Sequence, residues 1–71
     1  MDTKQIEYIL AIAREKNITR AAQTLYISQP SLSEAIKELE KEIGIELFKR
    51  SSHGTVLTPE GEEFLGYARQ V

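Results

Sequence analysis

The sequence contains no cysteine and a single histidine, and these two scarcities exclude several kinds of site. Without cysteine, neither a disulfide framework nor a thiolate metal site can form, which favours a reducing, cytoplasmic setting. His53 alone cannot supply the three or four ligands that a zinc site needs, so we expect no bound metal. The four glycines are scattered and build no phosphate-cradling loop, so we expect no cofactor.

Long apolar runs are also missing. The longest, Tyr8 to Ala13, has six residues, whereas a membrane-spanning helix needs about 20. The first residues do not resemble a signal peptide, so we expect a soluble protein without a membrane partner. No nucleophile has an identifiable base beside it, and a deep pocket is not expected at this size. We therefore do not expect an enzyme.

The chain lacks the positive charge that is usual in nucleic-acid-binding modules. Nine basic and eleven acidic residues give a formal net charge of -2. The local field matters more than this sum, because screening limits its reach to about 8–10 Å at ordinary salt. Glu38, Glu40 and the acids that follow lie at or beyond the far end of a predicted helix. Arg20, Lys37 and the pair Lys49–Arg50 lie in or beside the candidate contact segments described next.

Helical periodicity predicts a first helix from Thr3 to Glu15. Asp2 and Gln5 have the spacing of a capping box, and Asn17 is expected to end this helix in a left-handed turn. The apolar positions that define the period are Ile6, Ile9, Leu10 and Ala13.

Residues 19–37 organise the rest of the chain. Thr19 is expected to cap a short second helix, and Ser28 to cap a third. Tyr26 and Ile27 would form the turn between them. Tyr26 is expected to be a partly buried packing residue that could also bond a phosphate. Two short helices joined in this way form a helix-turn-helix motif, in which the second helix is held so that its exposed face can enter a DNA groove.

The third helix has one apolar and one polar face, and Gly44 is expected to end it. The buried stripe is predicted to comprise Leu32, Ala35, Ile36, Leu39 and Ile43. The opposite arc carries Pro30, Ser33, Glu34, Lys37 and Lys41. Near its N-terminus the outer face is therefore short and polar, with backbone N–H groups available to phosphate.

After Gly44 the period changes to that of two short strands, residues 46–50 and 55–58, around a four-residue loop. Thr58-Pro59-Glu60 then has the composition of a helix start. These elements predict a mainly α fold, a winged helix-turn-helix with three helices, a two-stranded wing hairpin and the start of a linker helix. The divisions are 1–58 for this domain, about 18–37 for the helix-turn-helix, about 46–58 for the wing and 59–71 for the linker helix.

Five motifs at fixed intervals resemble the N-terminal DNA-binding domain of LysR-type transcriptional regulators. They are A-A-x-x-L-x-x-S-Q-P-S-L-S from Ala21, L-E at Leu39, Gly44, L-F-x-R from Leu47, and L-T-P-x-G from Leu57. Together they cover nearly the whole chain. The resemblance implies a bacterial regulator that binds double-stranded DNA sequence-specifically, with the third helix in the major groove and the wing toward the minor groove.

The resemblance also implies parts that these 71 residues lack. A ligand-sensing effector domain would follow the linker helix, and a small-molecule effector is expected only for that absent domain. Linker helices of the family pair into homodimers, and two dimers commonly form a tetramer on DNA. The matching contacts in this chain are expected to be Phe64, Leu65, Ala68 and Val71.

The resemblance assigns base reading to five positions of the third helix. Gln29 can bond adenine through both atoms of its amide, and Ser33 can bond any base edge. Pro30 can contact a thymine methyl, and Lys37 can reach guanine or phosphate. The full set of expected DNA contacts is Thr19, Arg20, Gln29, Pro30, Ser31, Ser33, Glu34, Lys37, Arg50 and His53.

Two of these positions depart from the family pattern. Glu34 is acidic where the family often has Arg or Gln, and phosphates repel a carboxylate, although it can accept from cytosine N4. His53 replaces an arginine that often enters the minor groove, which weakens the electrostatic hold there. Arg50 has two interpretations, a phosphate contact or a bridge to an acid within the fold.

The alternative function is a winged-helix protein-interaction module that does not read DNA. Such a docking surface should present large apolar residues on the outer face of the third helix. The sequence places Ser33, Glu34 and Lys37 there instead.

Overall fold

Four helices and one β-hairpin follow one another in the computed structural model, which describes the backbone of residues 2–70 and the side chains of residues 2–66. The elements are α1 (Thr3–Glu15), α2 (Ile18–Leu25), α3 (Gln29–Ile43), β1 (Phe48–Ser51), β2 (Gly54–Leu57) and α4 (Pro59–Gln70). The prediction of a mainly α winged helix-turn-helix is confirmed.

The corner between α1 and α2 is tighter than the sequence predicts. Lys16, not Asn17, takes the left-handed conformation that ends α1, with φ 56°. Asn17 instead caps α2, because its side-chain oxygen accepts a hydrogen bond from the backbone N–H of Arg20 at 2.9 Å. The assignment of Thr19 as the cap was therefore wrong, and Thr19 lies in the first turn of α2. Only Lys16 therefore separates the last residue of α1 from the cap of α2.

The other helix ends follow the sequence prediction. Asp2 and Gln5 form the capping box of α1. The Ser28 hydroxyl accepts from the backbone N–H of Ser31 at the start of α3, and Gly44 ends that helix with φ 77°. These contacts satisfy backbone groups that a helix end would otherwise leave without partners.

The turn between α2 and α3 contains a second left-handed residue, Tyr26, with φ 58°. The backbone N–H of Ile27 then donates to the carbonyl of Ala22 at 3.0 Å. Ile27 packs against the core, whereas Tyr26 is 94% exposed. The expectation that Tyr26 is partly buried was wrong, because the left-handed backbone turns the chain so that its neighbour takes the inner position.

The core lies where α1, α2 and α3 meet beneath the hairpin, and its small alanines in α2 let the helices approach closely. Its buried apolar residues are Ile9, Ala11, Ile12, Ala21, Ala22, Leu32, Ile36, Leu39, Leu47 and Leu65. In the stripe predicted for α3, Leu32, Ile36 and Leu39 are buried, and the other two members are half-buried.

The base of the hairpin is fixed by the backbone of Leu47. Its N–H donates to the Glu40 carboxylate at 2.7 Å, and its carbonyl accepts from the N–H of Thr58 at 2.9 Å. The Thr58 hydroxyl donates to the Glu46 carbonyl at 2.5 Å and accepts from the N–H of Gly61 at 2.8 Å, capping α4. Residues 46 and 47 are thus held by α3 and the α4 cap and lie outside the strand predicted to contain them.

The hairpin turn is shorter than predicted. Ser51 pairs with Gly54 across the two strands, which leaves only Ser52 and His53 in the turn where a four-residue loop was expected. Gly54 has φ 100°, and a Cβ added there would overlap the carbonyl oxygen of Lys16. The same carbonyl accepts from the backbone N–H of Thr55 at 2.9 Å. The hairpin is therefore anchored on the corner between α1 and α2.

Candidate nucleic-acid interface

An open groove of about 360 Å³ separates α3 from the hairpin. Gln29, Ser33 and Lys37 line its helical side. The hairpin contributes Lys49, Arg50 and Thr55. Polar residues from segments far apart in the sequence therefore face one space, and the anchoring of Thr55 on Lys16 sets the position of the hairpin wall.

The side chains of Gln29 and Ser33 are joined across one turn of α3. Gln29 Nε2 donates to Ser33 Oγ at 2.7 Å. A carboxamide has two N–H donors and a carbonyl acceptor, so one donor and the acceptor remain for an external partner. Ser33 also keeps its hydroxyl proton as a donor. The hydrogen bond orients both groups before any ligand arrives.

The outer face of α3 continues beyond the groove as a shallow depression of about 410 Å³, lined by Pro30, Ser33, Glu34 and Lys37. Pro30, Glu34 and Lys37 are exposed and Ser33 is half-buried. Ser31 lies nearer the helix start, where its hydroxyl accepts from the Ser28 hydroxyl at 2.8 Å. Its role within the chain is thus part of the α3 cap.

Three cations, Lys37, Lys49 and Arg50, face one acid, Glu40, in the lining of the groove. Glu40 lies near the end of α3, as expected, but its side chain also lines the groove. Its carboxylate accepts from the N–H of Leu47 at 2.7 Å, so it has a structural partner within the fold. The cationic excess gives the groove a positive local field despite the negative net charge of the chain.

Among the side chains of residues 2–66, the one ion pair joins Arg14 and Glu15 at 3.8 Å. Arg50 is exposed and has no acidic partner in that range. Of its two interpretations, the bridge to an acid within the fold is therefore not supported. The guanidinium remains available to an external anion.

The start of α2 approaches the same groove through Ile18, which is part of its lining. Thr19 and Arg20 follow in the first helical turn and are exposed. Since Asn17 accepts from the N–H of Arg20, the N–H groups of residues 18 and 19 are those left at this helix start. Such a terminus favours an anion.

Residues 3–62 match the model of a family described as bacterial regulatory helix-turn-helix protein, lysR family. The chain belongs to the LysR family. It is 48% identical over 71 residues to the uncharacterized HTH-type transcriptional regulator YcgK of Bacillus subtilis, and 50% identical over 64 residues to BudR of Klebsiella aerogenes. These alignments cover 100% and 90% of the chain but only 22% and 45% of the relatives. The chain thus spans less than half the length of either relative.

Solved structures of LysR-family proteins share the fold. A complex of the BenM DNA-binding domain with benA site 1 DNA matches with TM-score 0.87 at 41% identity, covering 99% of this chain and 79% of that one. A complex of the CbnR DNA-binding domain with DNA matches with TM-score 0.86 at 37% identity, covering 99% and 80%. Both neighbours are DNA-bound.

His53, the second position that departs from the family pattern, lies at the tip of the hairpin. It lies in the two-residue turn and is exposed, and its backbone N–H donates to the Ser51 hydroxyl at 3.1 Å. His53 does not line the groove. The structure therefore places it beside the contact elements but apart from the residues between α3 and the hairpin.

The four residues expected to form a LysR-type dimer contact have different positions. Phe64 is half-buried, whereas Leu65 is 3% exposed and belongs to the core. The Ala68 side chain and all of Val71 lie outside the described residues. Within this chain Leu65 is a packing residue, and Phe64 is the described candidate for a contact with a partner.

Lys49 and Thr55 of the hairpin line the groove but were not among the expected DNA contacts, although Lys49 was already placed beside the contact segments. The signal for Thr55 was present, because the predicted hairpin already placed it opposite Arg50, as observed. Of the described residues, no group of three or more acids or histidines could hold a metal ion. None of the described helices is long and apolar enough to cross a membrane.

Proposed function

We propose that this chain binds double-stranded DNA sequence-specifically as the DNA-binding domain of a LysR-type transcriptional regulator. In this proposal α3 enters the major groove, and the hairpin points toward the adjacent minor groove. The observation that carries it is the convergence of the oriented Gln29–Ser33 pair with Lys37, Lys49 and Arg50 around one groove. The DNA complexes of the similar BenM and CbnR domains support DNA binding by this fold.

The proposal gives the side chains of this interface two kinds of role. Gln29 and Ser33 read base edges, Pro30 contacts a thymine methyl, and Lys37 reaches guanine or phosphate. The remaining contacts hold the sugar–phosphate backbone without reading sequence. These are Lys49 and Arg50 from the hairpin, Thr19 and Arg20 at the start of α2, Ser31 at the start of α3 and His53 at the hairpin tip.

The proposal extends to the longer protein that the relatives' lengths indicate. In it α4 continues as a linker helix that pairs two copies into a homodimer, and two dimers form a tetramer on DNA. An effector domain beyond the linker binds a small molecule. A bacterial regulator of this kind acts in the cytoplasm, and its role requires neither catalysis nor a cofactor.

Selection of bound sequences from a random DNA pool tests the proposal, followed by affinity measurements on the selected site at several salt concentrations. We expect a defined half-site and a steep loss of affinity with salt. If the four cations Arg20, Lys37, Lys49 and Arg50 each neutralise one phosphate, the slope of log affinity against log salt is about −3 to −4 for each bound domain. A nearly flat dependence would contradict this mechanism.

Two substitutions separate base reading from phosphate contact. Ser33→Ala should reduce the preference for the selected site by about 1 kcal/mol or more, because it removes a group facing the bases. Lys37→Ala should lower affinity and reduce the salt slope by about one if Lys37 contacts phosphate. Lys41→Ala is the matched control, since Lys41 is exposed on α3 but lies outside the groove lining. Unchanged affinity and preference in both variants would favour the protein-interaction module.

A further inference from the structure

Glu34 is an acid in the middle of a surface that the proposed function places against DNA. It is exposed on the outer face of α3 and lines the shallow depression with Pro30, Ser33 and Lys37. No ion pair or hydrogen bond joins its carboxylate to any side chain of residues 2–66, Lys37 included. Both carboxylate oxygens are therefore free to accept hydrogen bonds from an external donor.

The hydrogen-bonding groups that the bases present in the major groove limit which base can supply that donor. Guanine presents two acceptors, N7 and O6, and thymine presents the O4 acceptor and a methyl group, so neither offers a carboxylate a hydrogen bond. Adenine offers its N6 amino group beside the N7 acceptor, which repels a second acceptor. Cytosine offers its N4 amino group as a donor with no acceptor of its own at that edge. A carboxylate therefore distinguishes cytosine from the other three bases.

From this we infer that Glu34 is a specificity-determining residue that selects a C·G pair by accepting a hydrogen bond from cytosine N4. The inference rests on the proposed function, because it requires α3 in the major groove. The same charge rejects the other base edges and adds nothing to non-specific affinity, since phosphates repel it. Glu34 thus lowers the affinity for DNA in general and increases base discrimination at one position of the site.

The experiment compares sequences selected from a random DNA pool by the 71-residue chain, by Glu34→Gln and by the control Glu42→Gln. We expect the unsubstituted chain to require a C·G pair at one position, where replacement lowers affinity about tenfold. Glu34→Gln should lose that requirement and favour adenine there, because a carboxamide can both donate to N7 and accept from N6. Glu42→Gln removes the same charge two turns farther along α3 and should keep the cytosine requirement.

Three results are distinguishable. If Glu34→Gln selects the same sequence with the same relative affinities as the unsubstituted chain, the inference is overturned and the proposed function stands. If both variants lose preference at the same position, the effect comes from net charge and the inference is again overturned. If the unsubstituted chain selects no sequence at all, the proposed function fails as well. Since Glu34 is exposed and has no partner within residues 2–66, all variants should fold, which circular dichroism would check.

Discussion

Tyr26 has a backbone conformation that is unfavourable for tyrosine and a side chain that is not buried. Its backbone is left-handed, with φ 58°, a region that only glycine and, less often, asparagine or aspartate adopt readily. The residue is 94% exposed, so burial of its side chain contributes almost no stabilisation to the fold. The geometry of the turn after α2 thus fixes the backbone, while the identity of the side chain is not set by packing.

Tyr26→Asn should therefore raise the free energy of unfolding by about 0.5–1 kcal/mol, because asparagine tolerates the left-handed conformation better than tyrosine does. Urea denaturation followed by circular dichroism measures the change. Gln23→Asn is the matched control. Residue 23 is exposed within the right-handed α2, where asparagine is a weaker helix former than glutamine, so this variant should not gain stability. A loss of stability in Tyr26→Asn would show that the ring makes a stabilising contact that exposure does not reveal.

The hairpin is anchored on the corner between α1 and α2, which lies far from it along the chain. Its first paired residue after the turn, Gly54, lies directly against the Lys16 carbonyl, and the next N–H donates to that carbonyl at 2.9 Å. The corner between α1 and α2 therefore sets the hairpin's distance from α3. A change at this contact should alter both stability and the width of the groove.

Gly54→Ala tests that contact, with Gly44→Ala as its control. Both glycines have positive φ, but an added Cβ at Gly44 meets no atom within 4 Å, whereas at Gly54 it overlaps a backbone carbonyl. Gly44→Ala should cost about 1 kcal/mol for the conformation alone. Gly54→Ala should cost more, about 2–3 kcal/mol, and should accelerate amide hydrogen exchange at Thr55. Equal costs at the two positions would contradict the anchoring.

At the level of elements, the local signals of the sequence predict most of the fold. The capping box at Asp2, the cap at Ser28 and the glycine stop at Gly44 each act within one helical turn, and all three are confirmed. The corner at Lys16 and Asn17 was misassigned because asparagine suits both a left-handed helix end and an N-cap, and Asn17 takes the second role. The hairpin also packs on that corner, where the Thr55 N–H donates to the Lys16 carbonyl, and no local pattern contains this contact.

The candidate site, too, is predicted in part by local sequence signals and depends in part on tertiary contacts. Helical period alone places Ser33 and Lys37 on one polar face, and the family resemblance adds Gln29. All three line the groove. The hydrogen bond between Gln29 and Ser33 depends on side-chain rotamers, which periodicity does not specify. The groove itself needs the tertiary contact of the hairpin, and so does the placement of Glu40, whose partner Leu47 lies seven residues away.

On the scale of the whole molecule, most acids lie away from the groove, although Glu40 lines it and Glu34 lies in the depression beside it. Three cations face the groove, while exposed acids such as Glu60 and Glu62 lie in the first turn of α4. Acids at a helix N-terminus also favour the helix dipole, so they stabilise α4 without entering the groove. A net charge of -2 is thereby compatible with a positive contact surface.

Dimer formation through α4 remains a prediction, and the burial of its side chains offers a sharp test. A domain of this size buries proportionally little surface, so pairing should add substantially to its stability. Sedimentation should then show a dimer at high concentration, and the melting temperature should rise with concentration. A monomeric profile at the highest concentrations would count against the proposed interface.

Phe64 and Leu65 are adjacent on α4 but should respond differently to truncation. Leu65 is 3% exposed in the core, so Leu65→Ala should lower the free energy of unfolding by about 2–5 kcal/mol at every protein concentration. Phe64 is half-buried, and Phe64→Ala should mainly weaken association, since the rest of its surface is available to a partner helix. The melting temperature of Phe64→Ala should therefore lose its dependence on concentration, whereas that of Leu65→Ala should be lower but keep it. If both variants keep the dependence, Phe64 is a packing residue like its neighbour, and the interface must lie elsewhere on the chain.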